Sequence, residues 1–118
     1  MPLKVTNERQ DVVLASHVER ASRFWGRLRG LLGRDALPPG HGLWIDACGS
    51  IHTFFMRFPI DAVFLGGNHE VLRVYRGLKP FRLTRYVCGA RAVLELPAGT
   101  LAEDRVRVGD RLAIEESA

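Results

Sequence analysis

The sequence predicts an α+β fold: a small β-dominated domain, with a bent antiparallel sheet or partly open barrel and one main helix packed against it. Three observations lead there. Five or six short β-prone runs are separated by Gly- and Pro-bearing corners, one stretch carries a helical apolar period, and there is no repeating β-α-β alternation. The third observation disfavours a doubly wound nucleotide fold, and no glycine-rich phosphate loop of Walker or dinucleotide type occurs.

The elements follow in chain order. Asp11 to Val18 (DVVLASHV) is β-prone and reads as the first strand. Ser22 then suits a helix N-cap, and Phe24, Leu28, Leu31 and Leu32 recur at the spacing of one helical face, so a helix is expected to Leu32 with Gly33 as its stop. Gly26 and Gly30 inside that helix each cost about 1 kcal/mol against alanine, which implies close packing there. Asp35 to Gly42 (DALPPGHG) is a loop by its prolines and glycines, and Gly42 to Ala47 a strand. IDAVFL and EVLRVY flank the turn-forming Gly66 to His69, a hairpin signal. Ala62 to Leu65 shows no alternation, so that strand is expected to be central and covered on both faces. A basic connection from Arg76 to Gly89 leads to a strand at Ala92 to Leu96, closed by Pro97, Ala98 and Gly99. The Gly109-Asp110 turn then enters a last strand, Arg111 to Glu115.

No repeat, low-complexity tract or composition break divides the 118 residues, so the whole chain, 1–118, reads as one domain. Hydrophobic residues make up 47% and charged residues 25%, a globular composition that favours neither disorder nor a membrane class. No apolar run approaches the length of a membrane span, and the start lacks the order of a secretory signal, so no membrane association and a cytoplasmic address are expected. In that compartment Cys48 and Cys88 are expected as free thiols. The net charge of +4 is small for a dedicated nucleic-acid binder, which makes nucleic acid a disfavoured partner.

Chemistry-bearing side chains concentrate in Cys48 to Asp61 (CGSIHTFFMRFPID), between two expected strands. Cys48, Ser50, His52, Thr53 and Asp61 either line a pocket or satisfy one another and exposed backbone at an irregular corner. Cys48 with His52 has the composition of a thiolate–imidazole pair, but no cysteine-hydrolase signature surrounds it. Adding His41 and Cys88 makes a zinc-like ligand set without the paired Cys-x-x-Cys spacing, so no metal and no cofactor are expected. Asp61 opens an apolar strand, as a strand-start cap or a partly buried acid. Glu95 lies among Val93, Leu94, Leu96 and Pro97, where a carboxylate needs a partner, an arginine being the simplest. Asp110 reads as a turn residue. Between Glu70 and Glu95 stand Arg73, Arg76, Lys79, Arg82, Arg85 and Arg91 with no acid, interleaved with Tyr75, Phe81 and Tyr86, a composition that single-stranded nucleic acid binding would use and that a solvated surface also shows.

The ordered blocks RLRGLLGR (Arg27 to Arg34), SIHTFFMRFPIDAVFL (Ser50 to Leu65), AVLELPAGT (Ala92 to Thr100) and VGDRL (Val108 to Leu112), with Leu37 and Gly42, resemble the uncharacterised prokaryotic family known as domain of unknown function 192. The likeness spans about residues 20–115. It implies a compact β-rich single domain and brings no established activity, substrate or cofactor. Its motif positions in this chain are Arg29, Gly30, His52, Thr53, Met56, Pro59, Asp61, Glu95, Gly99, Gly109 and Asp110. From these the candidate ligand-binding group is Arg29, His52, Thr53, Asp61 and Glu95, with no catalytic residue assigned. The expected function is a non-enzymatic binding or accessory protein whose pocket near SIHTFFMRFPID takes a small ligand or a protein partner. The alternatives are a low-turnover thiol- or metal-assisted hydrolase using the same segment, and polyanion binding through residues 73–91.

Overall fold

A computed structural model describes residues 2–21, 37–46, 49–53, 57–102 and 104–116. Within them seven strands form one sheet: β1 (Leu3–Asn7), β2 (Val12–Ala21), β3 (His41–Asp46), β4 (Ile60–Leu65), β5 (Val71–Leu78), β6 (Ala92–Pro97) and β7 (Leu112–Glu116). Their order across the sheet is β5-β4-β6-β3-β2-β1-β7.

Each strand follows from its side chains. β1 alternates Leu3, Val5 and Asn7 inward with Lys4 and Thr6 partly exposed, the period of a half-buried strand. β4 is buried at all six positions, because β5 and β6 flank it and apolar side chains cover both faces. β6 is buried at all but its last position. Hence the apolar runs Ala62–Leu65 and Ala92–Leu94 pair with each other in the part of the sheet that is covered on both faces.

The two faces carry separate cores. Val5, Leu14, Val18, Trp44, Val63, Leu65, Val71, Leu94, Leu96 and Leu112 meet on the inner face, together with Leu101 and Val106 from the connection after β6. Leu37, Leu43, Ile45, Ile51, Ile60, Phe64 and Val93 form the outer one, with Phe58, Tyr75, Leu78, Val87 and Ala90 against it. The inner core draws on both ends of the sheet, which is possible only because the sheet curls into a half-barrel. Its two edges meet at one corner: Glu70 bridges Arg111, Val71 N–H donates to Asp110 O at 2.7 Å, and Leu112 N–H donates to His69 O at 3.0 Å.

Three expectations are corrected. The α+β class fails, since every element among the described residues is a strand and no helix packs on the sheet there; the helix expected from Ser22 to Leu32 lies outside the described residues. Among the described residues, irregular chain also covers the outer face, through Ile51, Phe58, Val87 and Ala90. The sheet is not wholly antiparallel, because β2 and β3 run parallel from His17↔His41 to Ala21↔Ile45. A parallel neighbour needs a long connection, and β3 begins at His41, far along the chain from the end of β2 at Ala21. Finally β1 went unrecognised, although it lies inside the sheet between β2 and β7. Its signal was the brief Leu3/Val5 alternation ahead of the turn at 8–11.

Candidate functional site

The segment Gly49 to Thr53 is zipped onto the connection after β5. Thr84 N–H donates to Ile51 O at 3.0 Å, Thr53 N–H to Arg82 O at 2.8 Å and Val87 N–H to Gly49 O at 2.8 Å, while His52 bridges Leu83. Two buried threonines lock the ladder from within. Ile51 N–H donates to Thr84 Oγ1 at 3.0 Å, and Thr53 Oγ1 donates to Lys79 O at 2.6 Å and accepts from Arg82 N–H at 2.9 Å. Ile51 is the anchor, since its side chain is buried in the outer core.

The ladder forces one unusual backbone. Phe81 sits at φ 61°, where a bulky side chain is rarely found, and its N–H donates to Thr53 O at 3.0 Å. Thr53 therefore contacts the strained turn through its carbonyl, its N–H and its hydroxyl. The turn presents Phe81 at 61% exposure, with Leu83 at 68% and Tyr86 at 73%. Arg82 and Arg85 are exposed between them and Lys79 just before them. The Tyr86 ring lies close against Gly49: a Cβ there would come within 2.4 Å of ring Cε1, so any larger residue at 49 would push the ring aside.

Two other arginines of the basic stretch are engaged elsewhere. Arg76 donates to the carbonyls of Leu101 and Val106, at 3.0 and 2.8 Å, and Arg73 stacks over Tyr75, which packs on Phe64. Thus Tyr75 belongs to the outer core, away from the exposed Phe81 and Tyr86.

The candidate ligand-binding group is dispersed. Arg29, Cys48 and Met56 lie outside the described residues. Asp61 is fully buried on the inner face, where Oδ1 accepts from Gly77 N–H at 2.8 Å and Oδ2 from Leu101 N–H at 2.9 Å. Glu95 is buried opposite Ala62 and Leu43, both outer-core residues, and so faces outward. Thr53 is buried in its ladder and His52 is half-buried beside it, with Nδ1 inside. Hence Asp61 and Glu95 do not converge. Among the described residues no three His, Cys, Asp or Glu side chains group as metal ligands; Cys88 is a free, exposed thiol.

Two charged clusters went unread in the sequence because their members are far apart along it. At the end of β3, Asp46 accepts from Arg20 at 2.8 and 3.2 Å and from Trp44 Nε1 at 2.9 Å. The Arg20 hydrogen bond is the main reason its pKa falls below the usual carboxylate value. At the corner where the sheet edges meet, Asp110 accepts from Arg9 Nε at 2.7 Å, from the wholly buried Asn7 at 2.9 Å and from Arg107 N–H at 2.8 Å. Burial opposes ionisation of Asp110, but these bonds outweigh it and its pKa is lowered.

Among the described residues no helix is long and apolar enough to cross a membrane. The UPF0127 protein of Pyrococcus abyssi is 32% identical over 114 residues, covering 92% of this chain and 94% of the relative. That of Pyrococcus horikoshii is 32% identical over 111 residues, covering 92% and 96%. A solved protein of unknown function from Novosphingobium aromaticivorans has the same fold, with a TM-score of 0.80 at 21% identity over 96% of this chain and 84% of that one. The model of the family DUF192, described as an uncharacterized ACR, matches residues 4–114, and the chain belongs to that family.

Proposed function

We propose that the protein is a non-enzymatic binding domain whose recognition surface is the ladder of residues 49–53 and 79–87, and that its partner is an extended protein segment carrying acidic and apolar side chains. The observation that carries the reading is Phe81, held exposed in a strained backbone by Thr53. Such strain persists only where surrounding structure enforces it, and it collects at binding sites. Large apolar side chains and cations alternate around Phe81, and aromatic and arginine side chains are the usual anchors of protein interfaces.

A small-ligand pocket or a hydrolytic centre at Asp61 draws less support, because both carboxylate oxygens are already occupied by backbone amides. Binding of a labelled peptide that alternates Glu with Leu and Phe, measured by anisotropy, tests the reading, with a single-stranded oligonucleotide of equal charge in parallel. The peptide is expected to bind, and the combined Phe81→Ser, Leu83→Ser and Tyr86→Ser variant to lose roughly thirtyfold or more, the loss of at least one interface anchor. Equal peptide affinity in the variant, no peptide binding by the parent, or binding of the oligonucleotide alone overturns it.

A further inference from the structure

His17 and His41 are register partners in the parallel β2/β3 pair, and their rings stand 5.0 Å apart, tilted by 34°. Both backbones are held by bonds outside the ladder: His17 N–H donates to Gly40 O at 2.9 Å and His41 N–H to Pro38 O at 3.1 Å. His17 is exposed and lines an open groove of about 540 Å³ with Pro2, Glu19 and Arg20, while His41 is half-buried. This face is remote in sequence from the 49–53 and 79–87 ladder, and its chemistry stands independently of the reading above.

Two imidazoles projecting side by side from hydrogen-bonded strands are a preorganised pair of nitrogen donors. Ring rotation brings one nitrogen of each within bonding reach, about 2 Å, of a shared ion. Glu19, two residues beyond His17 on the same face of β2, and Arg20, paired with Asp46, line the same groove. We propose that His17 and His41 form a two-imidazole chelate for a divalent first-row transition ion, with Cu(II) bound most tightly and solvent completing its coordination. Imidazole suits copper and nickel, the order of divalent affinities peaks at Cu(II), and a tetragonal ion accepts two protein nitrogens with water in its other positions.

Titration of the untagged full chain with Cu(II), followed calorimetrically and by electron paramagnetic resonance, tests the assignment. One ion per chain is expected, with hyperfine structure from two imidazole nitrogens. His17→Gln and His41→Gln are each expected to weaken binding by roughly 10- to 100-fold or more, since even an outer-sphere change at a metal site costs that much. The double variant should lose the stoichiometric ion altogether, because each single variant still keeps one imidazole as a monodentate ligand. Cys88→Ser should leave the affinity unchanged. Unfolding midpoints of the variants are compared with the parent's, and His41→Asn replaces His41→Gln if the latter fails to fold. The proposal is overturned if the parent binds no stoichiometric ion, if either histidine variant binds as the parent does, or if Cys88→Ser abolishes binding.

Discussion

Asp61 and Glu95 occupy adjacent register positions across β4 and β6, yet the two-residue period of a strand sends them to opposite faces. Asp61 is placed where β5 and the turn after β6 each bring a backbone N–H into the inner core, and one carboxylate satisfies both. An uncharged amide has only one acceptor oxygen, so Asp61→Asn turns an NH₂ group towards a buried N–H. The expected cost is about 3 kcal/mol, the range for losing a charged hydrogen bond and stranding a buried donor. Urea unfolding of the folded variant measures it. A variant as stable as the parent but deficient in binding an acidic-apolar peptide would show that Asp61 serves recognition instead of bracing the sheet. Thr53 is the contrasting case, since its polar atoms all serve the turn that carries Phe81.

At the scale of the element, β3 carries the least obvious constraint. It is the strand at which parallel pairing with β2 meets antiparallel pairing with β6, and Gly42 lies within it. A Cβ at Gly42 would stand 2.9 Å from Leu96 Cδ2, 3.0 Å from the backbone oxygen of Glu95 and 3.3 Å from Val18 Cγ2. The oxygen belongs to a central strand and has little room to retreat. Gly42→Ala is therefore expected to destabilise the fold by about 1–3 kcal/mol, the usual penalty of overpacking, read as a lowered thermal midpoint. An unchanged midpoint would mean that β3 and β6 separate more easily than their burial indicates. β4 and β5 pose the opposite case, because the turn at Gly66 to His69 and the apolar run before it are local signals and the hairpin formed where they placed it.

For the whole molecule, the corner where β5 meets the start of β7 decides whether the sheet holds its curl. Asp110 joins Asn7 and Arg9, at the end of β1, to the loop before β7, and its own carbonyl accepts from Val71. Its pKa is lowered in the folded chain, so at acid pH the unfolded chain binds more protons than the folded one. Stability from this group is complete above the ordinary aspartate value, about 4, and drains away as pH falls through the lower folded value. The parent is thus expected to lose more unfolding free energy between about pH 5 and pH 2 than Asp110→Asn loses over the same span. Equal losses, by denaturant titration at each pH, would remove Asp110 as the acid-sensitive latch. Local pattern by itself determined that the chain is β-rich, that the strand holding Ala62 to Leu65 is covered on both faces and forms a hairpin with the strand after it, and which family the blocks resemble, since apolar period and turn chemistry act over a few residues; the sheet order, with that strand second from an edge, did not follow from it. Only the tertiary structure decided that β2 and β3 run parallel, that Asp61 and Glu95 face apart, that Thr53 braces Phe81, and that His17 meets His41. Each of these depends on the register between strands distant in sequence, and register is set by how two faces of one curled sheet bury their apolar side chains together.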